Sequence, residues 1–414
     1  MARKISKKPA LNLTNMFFKS PKEKKSKKIY SEIANDSGFR TLYSEPAKPV
    51  WMMRSYTKFS DEAYTKNVIA HKCISMASRL MASVDWKLYE LVDGQKNFIS
   101  KHPITELLNY PNPLTNGSSF FEAVSSYKLI SGNAFVLAVT GMDGTPKELY
   151  TLRPDRISIT TDKDGFVSNY CYSVGDKEIK YPVDKITGRS TVLHVKNFNP
   201  LNDHFGLSPI EAAAYSIDQH NQASKWNQSV LQNGAKPSGA LIVRSEKDGG
   251  QGELTQEQFA RIKSQIEEQF SGYNNAGKPL LLEGGLDWKE MSLSHKDMDF
   301  LECKNMAARE IALAFGIPPQ ILGIPGDNTY SNLVEARLAL WEDTILPQLD
   351  DVCDALNRWL VPMFKKSENL YIGYDKDSIS ALLPRTESLW NRISNASFLS
   401  EDEKRELVGI KAAN

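Results

Sequence analysis

Nowhere in the chain is there an unbroken apolar run of about 18 residues, the length a helix needs to cross a bilayer. The sequence therefore offers no membrane-spanning segment. Cysteine is scarce: Cys73, Cys171, Cys303 and Cys353 stand far apart and lack metal-type spacing, so they read as buried thiols rather than a disulfide framework. Histidine is scarce too, with six in all. His194 falls in an expected strand and His204 in a polar loop beside Asp203, without the further ligands a metal would need. No local Ser-His-Asp or Cys-His signature is present. The reading is non-enzymatic, with no catalytic residue, no metal and no cofactor. Strong net charge is also missing, at +1. The basic start, Met1 to Lys28, has no continuous apolar stretch, because Asn12, Thr14 and Asn15 interrupt Ala10 to Phe18; no signal peptide is expected.

What the chain does have is the composition of a globular protein long enough for two or three compact units, with 41% hydrophobic and 24% charged residues over 414 positions. The small net charge hides an asymmetry. Residues 1–28 carry ten Lys/Arg and one Asp/Glu, a charge of +9, which leaves the other 386 residues at −8. The basic arm is expected to be disordered. An acidic body argues against a protein that grips DNA through phosphate neutralisation.

Along the chain, Ser60 followed by Asp61 and Glu62 predicts an N-cap, with a helical stripe running through Tyr64, Val68, Cys73, Ile74, Ala77 and Met81. Trp86 to Val92 reads as a strand and Phe120 to Ile130 as a helix. Five short strands follow, at Asn133 to Thr140, Glu148 to Leu152, Arg156 to Thr161, Val167 to Ser173 and Thr191 to Val195, separated by Gly and Asp-Gly turns. This first unit is α+β.

Ser208-Pro209-Ile210-Glu211 predicts a capped helix running to about Asn233, where Gly234 and Pro237 stop it. Its second half (Gln219, His220, Asn221, Gln222, Ser224, Lys225) is too polar for an ordinary core helix and suits one packed against copies of itself around a wet channel. Strands at Ala240 to Val243, Leu280 to Leu282 and Trp288 to Met291, with a helix at Thr255 to Phe270, make a small inserted unit. A second long helix, capped around Ser294 to Asp297, continues to Phe315 and stops at Gly316 and Pro318-Pro319. Gly323 to Tyr330 cannot hold regular structure. Asn332 to Trp359 reads as a long helix kinked at Pro347. Residues 375–414 look helical, with a capping box at Ser400 to Glu403.

Gly272 to Lys278 has the spacing of a phosphate-binding P-loop, which makes a nucleotide-binding enzyme the alternative reading. It departs from that motif in two ways. Pro279 stands where a magnesium-holding hydroxyl belongs, and the helix precedes the loop instead of following it. A helix-to-strand turn is the better reading.

In this order and spacing, several segments resemble the portal protein family of tailed double-stranded DNA phages. They are Leu193-His194-Val195, Gly206 to Ala213, Asn233 to Gly239, Ala308 to Leu322 with Phe315-Gly316-Ile317-Pro318-Pro319, Tyr330-Ser331-Asn332 and Thr344 to Pro347. The resemblance runs from about Ser60 to the C-terminus. It implies an α+β, portal-type multidomain subunit, with an α+β wing, a two-helix stem, a small α/β clip, a long Pro-kinked helix and a short helical crown. Mapped here, residues 1–50 are the arm, 51–206 the first part of the wing, 207–235 and 293–316 the stem helices and 236–292 the clip. Residues 317–331 are the tunnel loop, 332–374 the kinked helix and return strand, and 375–414 the crown.

The resemblance also implies a dodecameric ring of this chain at one capsid vertex, assembled in the host cytoplasm. Double-stranded DNA passes through it, a terminase packaging motor and then a head–tail adaptor dock on it, and a major capsid or scaffold protein surrounds it. The residues that would carry the role are Ile324, Asp327, Asn328, Thr329 and Tyr330 facing DNA, Gln219, Gln222 and Trp226 at ring contacts, and Pro347 at the kink.

Overall fold

The computed structural model describes residues 55–92, 95–232, 239–243, 256–257, 260–261, 264, 286–290, 300–326 and 330–407. The first helical residues differ from expectation. Ser55 caps a turn at Tyr56–Lys58, and Phe59–Thr65 winds as a π-helix, so Ser60 lies inside a helical stretch and is not a cap. Asp61 and Glu62 pair with Lys66 at 2.7 and 3.0 Å. The long helix α1 (Val68–Ala82) starts afresh at Asn67, whose extended backbone lets its side chain accept from the N–H groups of Ile69 and Ala70. Ala70, Cys73, Ile74, Ala77 and Met81 form its buried face.

Strand β1 (Trp86–Val92) is followed by β2 (Gln95–Ile99) and helix α2 (Pro103–Asn109), neither of which the residue pattern announced. In β2, Gln-Lys-Asn-Phe-Ile has no apolar face to read. In α2, the cap is His102, whose Nδ1 accepts from the Ile104 N–H at 3.1 Å. Helix α3 (Gly117–Ser131) ends at Gly132, which takes the left-handed conformation (φ 75°) before β3 (Asn133–Thr140). Next come β4 (Pro146–Leu152), β5 (Ile157–Thr161), β6 (Val167–Val174), β7 (Lys177–Pro182) and β8 (Val192–Lys196). The expected strands are present within a residue or two. β7 was not expected: in Lys-Glu-Ile-Lys-Tyr-Pro only Ile179 and Tyr181 alternate, too short a pattern to mark a strand on a mostly exposed edge.

Ser208 caps α4 (Pro209–Ala212), its hydroxyl accepting from the Ile210 N–H. The predicted continuous helix is interrupted at Ala213 and resumes as α5 (Ala214–Gln232). Beyond it are β9 (Gly239–Val243), β10 (Leu286–Glu290) and α6 (Phe300–Ala314). The expected strand at Leu280 to Leu282, most of the helix at Thr255 to Phe270 and the cap around Ser294 lie outside the described residues.

The long helix divides into α7 (Tyr330–Ala339), a π-helical turn at Leu340–Ile345 and α8 (Leu346–Trp359). Pro347 has no N–H and crowds the carbonyl four residues back. The π turn immediately before it absorbs the mismatch, with the Leu346 N–H donating five residues back to Trp341. Strand β11 (Leu370–Tyr374) precedes α9 (Leu383–Ser394) and α10 (Glu401–Leu407). Ser400 and Glu403 form a reciprocal capping box, as expected: Oγ accepts from the Glu403 N–H at 3.3 Å and Oε2 from the Ser400 N–H at 2.8 Å.

The strands form small antiparallel sheets, ordered β11-β1-β2, β4-β3-β8, β5-β6-β7 and β10-β9. The main core lies among α1, α3, α8, the start of the α4–α5 segment and one face of each of the first two sheets, and includes Ile74, Met81, Leu88, Val136, Leu193, Ile217, Ile345 and Leu349. Trp86 stacks on Phe121 at 4.3 Å within it. Phe135, Leu152, Ile157 and Val192 form a second cluster on the opposite face of β3 and β8, against the β5–β6–β7 sheet.

Candidate functional site

Two features carry the candidate function: the α5–α6 helix pair and the chain that leaves α6. The two helices pack against each other, with Ile217, Ala223, Ala307 and Ile311 among their buried residues, and the Ser216 hydroxyl donates to Glu310 Oε2 at 2.6 Å. The polar second half of α5 does not serve one purpose. His220 and Asn221 are buried within the chain, at 4% and 8% exposure. Asn67 Nδ2 donates to Asn221 Oδ1 at 3.0 Å and lies 3.2 Å from His220 Nδ1, while Asn221 Nδ2 donates to the Glu62 carbonyl. The same Asn67 caps α1, so this polarity is consumed in joining α5 to the π-turn–α1 junction. Burial, with a smaller push from Lys304, lowers the His220 pKa. Asn67 could not be picked out from sequence, since its partners lie more than 150 positions away.

Gln219 and Gln222 are exposed and Trp226 is half-buried. With exposed Tyr215 they follow the spacing i, i+4, i+7, i+11 and share one helix face. The three expected ring-contact residues are therefore brought together on one stripe.

At the end of α6, the Gly316 N–H donates to Leu313 and the Ile317 N–H to Ala312, closing the helix around a left-handed Gly316 (φ 66°). A 3₁₀ turn at Pro319–Leu322 follows, ending on Gly323 at φ 74°. Ile324 departs from its expected role. It is 5% exposed, packed against Ala308 and Ala312, and its N–H donates back to Pro319. It anchors the loop to α6 and does not face outward. Arg309 reinforces this by donating to the Pro325 carbonyl. Asp327, Asn328 and Thr329 lie outside the described residues, and Tyr330 is the first residue of α7.

A second junction involves the Gly206-Leu207-Ser208 segment. Asn133 Oδ1 accepts from the Gly206 N–H at 2.7 Å and is 2.9 Å from His194 Nε2. A Cβ on Gly206 would lie 2.1 Å from the Gly132 carbonyl oxygen, and one on Gly132 would meet the backbone of Leu207. The Ser208 hydroxyl donates to Leu129. His194 stacks on Phe135 at 4.2 Å, and burial lowers its pKa to about 3. It is therefore neutral at pH 7, and with Asn133 Oδ1 also accepting from Gly206, His194 Nε2 carries the proton. Among the described residues no group of His, Cys, Asp and Glu is arranged to hold a metal ion, and no helix is long and apolar enough to cross a membrane. The Gly272 to Lys278 loop lies outside the described residues.

Mixed helices and small antiparallel sheets in this order match the HK97-family portal fold. A crystal structure of an HK97-family phage portal protein from Corynebacterium diphtheriae superposes with TM-score 0.55 over 80% of this chain and 99% of that one, at 16% identity, a likeness of fold. The sequence profile of the phage portal protein matches residues 69–409, and the chain belongs to that family of structural proteins, with a portal or connector role. A Rickettsia felis protein is 49% identical over 354 residues, 85% of this chain and 89% of its own length. A chain in the neck of a native gene transfer agent particle, computed with C12 symmetry, is 38% identical, with TM-score 0.67 over 88% of this chain and 96% of that one.

Proposed function

We propose that the chain forms a dodecameric ring at a unique capsid vertex, where it is the channel for genome packaging and ejection. The observation that carries this reading is the 38% identity, over 88% of this chain, to a chain in the neck of a gene transfer agent particle, a neck computed with C12 symmetry. In this assignment the sheets with α1, α3 and α8 are the wing, α5 and α6 the stem, and the β9–β10 unit the clip. Residues 317–331 are the tunnel loop, and α9 with α10 belongs to the crown. The Gln219–Gln222–Trp226 stripe faces the neighbouring subunit. The terminase motor and then the head–tail adaptor dock on the ring, and a capsid or scaffold protein surrounds it.

The tip of the loop suits a sliding contact. Asn328, Thr329 and Tyr330 are neutral and Asp327 is acidic, so the tip adds no phosphate neutralisation that would slow moving DNA. Cryo-electron microscopy of the purified full-length chain tests the reading. A closed ring with a central hole is expected, and monomers and small open oligomers alone at micromolar concentration overturn it. An ATPase assay on the same sample separates the nucleotide-enzyme alternative: hydrolysis that disappears in Lys278→Ala would favour the enzyme.

A further inference from the structure

Among the described residues, β8 is hydrogen-bonded on one side only, to β3. The Ala138 N–H donates to the Thr191 carbonyl, and the Asn197 N–H donates to Gly132. Peptide groups alternate sides along a strand, so those of Leu193 and Val195 also face β3, while those of His194 and Lys196 face away. This outer edge opens into a groove of about 580 Å³ between β8 and α8. Val192 and the indole of Trp359, which is fixed by donating to the Ser190 carbonyl at 2.8 Å, give the groove apolar walls.

The charges around it are of one kind. Arg189, Lys196 and Arg358 line the groove and are exposed, and none makes an ion pair among the described residues. Lys196 donates only to a neutral carbonyl, that of Asp203. The one carboxylate on the wall, Asp351, is already paired with buried Lys128. The groove thus combines strand-edge backbone groups, apolar walls and uncompensated positive charge.

We propose that this groove takes up an extended segment of a different polypeptide, which adds as a strand to β8 and places carboxylates at alternate positions against Arg189 and Arg358. An open strand edge supplies affinity through main-chain hydrogen bonds, and alternate side chains supply specificity. A second copy of this chain fits poorly. Of the other edge strands, β2 and β7 carry Lys96, Lys177 and Lys180 against one carboxylate, Glu178, β4 pairs Lys147 with Glu148, and β5, β9 and β11 have no charged residue. Strand β10 has Asp287 and Glu290, but spaced three apart with Lys289 between them, and not at alternate positions.

Fluorescence anisotropy on the full-length protein tests the site with a labelled Val-Glu-Val-Glu-Val-Glu-Val peptide as the probe. Saturable binding is expected. Arg189→Ala and Arg358→Ala should each weaken it about three- to tenfold, the scale of partly exposed charge pairs. Alternate backbone N-methylation of the peptide should abolish binding by removing the ladder donors, and the Val-Lys version should not bind. The proposal is overturned if the peptide does not bind, or if binding ignores the arginines or the N-methyl groups. It is equally overturned if a DNA duplex competes at the same arginines. An altered sedimentation coefficient of Arg358→Glu without any peptide would make a second copy the occupant, and that too overturns it.

Discussion

The Thr344 hydroxyl donates to the Gly316 carbonyl oxygen at 2.6 Å, joining the π turn before Pro347 to the residue that ends α6. A Cβ on Gly316 would lie 2.6 Å from that same hydroxyl oxygen, and the glycine holds φ 66°. The Phe315-Gly316-Ile317-Pro318-Pro319 and Thr344 to Pro347 segments, separate in sequence, are thus two halves of one contact. One helix stops and another loosens its winding at the same point, which sets where the following loop leaves the body.

Gly316→Ala should destabilise the protein by about 2 kcal/mol, combining left-handed strain with the clash. Thr344→Val, which loses only the hydrogen bond, should cost about 1 kcal/mol. In the double variant the costs should not add, because the valine methyl that takes the hydroxyl's place is bulkier and sharpens the clash with the new Cβ. Chemical denaturation of the four proteins checks this, and strict additivity would show that the contact does not couple the two segments.

Lys128 is 4% exposed and pairs with Asp351 on α8. Asp351→Asn strands a buried ammonium and should cost about 3 kcal/mol, whereas Lys128→Met, which removes the charge together with its need for a partner, should be close to neutral. The order of the two denaturation midpoints is the readout, and the reverse order would contradict the assignment.

Stability should fall between pH 7 and pH 5. Burial lowers the pKa of His194 to about 3 and also depresses His220 and His102. The unfolded chain therefore binds more protons than the folded one below about pH 6.5, and stability is lost as the pH falls toward the folded-state values. For His194 alone the loss at pH 5 is on the order of 2 kcal/mol. His194→Gln should flatten this dependence in thermal melts, even if it lowers stability at pH 7. An unchanged slope would mean that this imidazole does not dominate it.

Shortening the Gly323 to Tyr330 segment should spare ring assembly and reduce DNA retention or translocation. Because Ile324 is packed on Ala308 and Ala312, a deletion confined to 327–329 should leave the fold intact. Ile324→Asp should destabilise by about 3 kcal/mol, through a buried charge without a partner. Packaging assays on the deletion variant decide the matter, with normal packaging counting against a DNA-facing role for the loop.

Sequence by itself determined the features whose physics is completed within a few residues. Ser400 and Glu403 cap each other, Gly316 ends α6, and short, nearly continuous apolar runs mark β3 and β8. It also placed the chain in its family, through motifs kept in order. The solvated edges β2 and β7 escaped notice because pairing, not burial, makes them strands. Only the tertiary structure decided where the polar side chains of α5 go. His220 and Asn221 were as polar on paper as Gln219 and Gln222, yet one pair is buried on Asn67 and the other exposed. Ile324, likewise, looked like part of a loop tip and is a core anchor. The physical reason is the same in each case: a cap or a left-handed glycine is satisfied by its own neighbours, whereas a buried polar group is satisfied by whatever the fold brings to it from far along the chain.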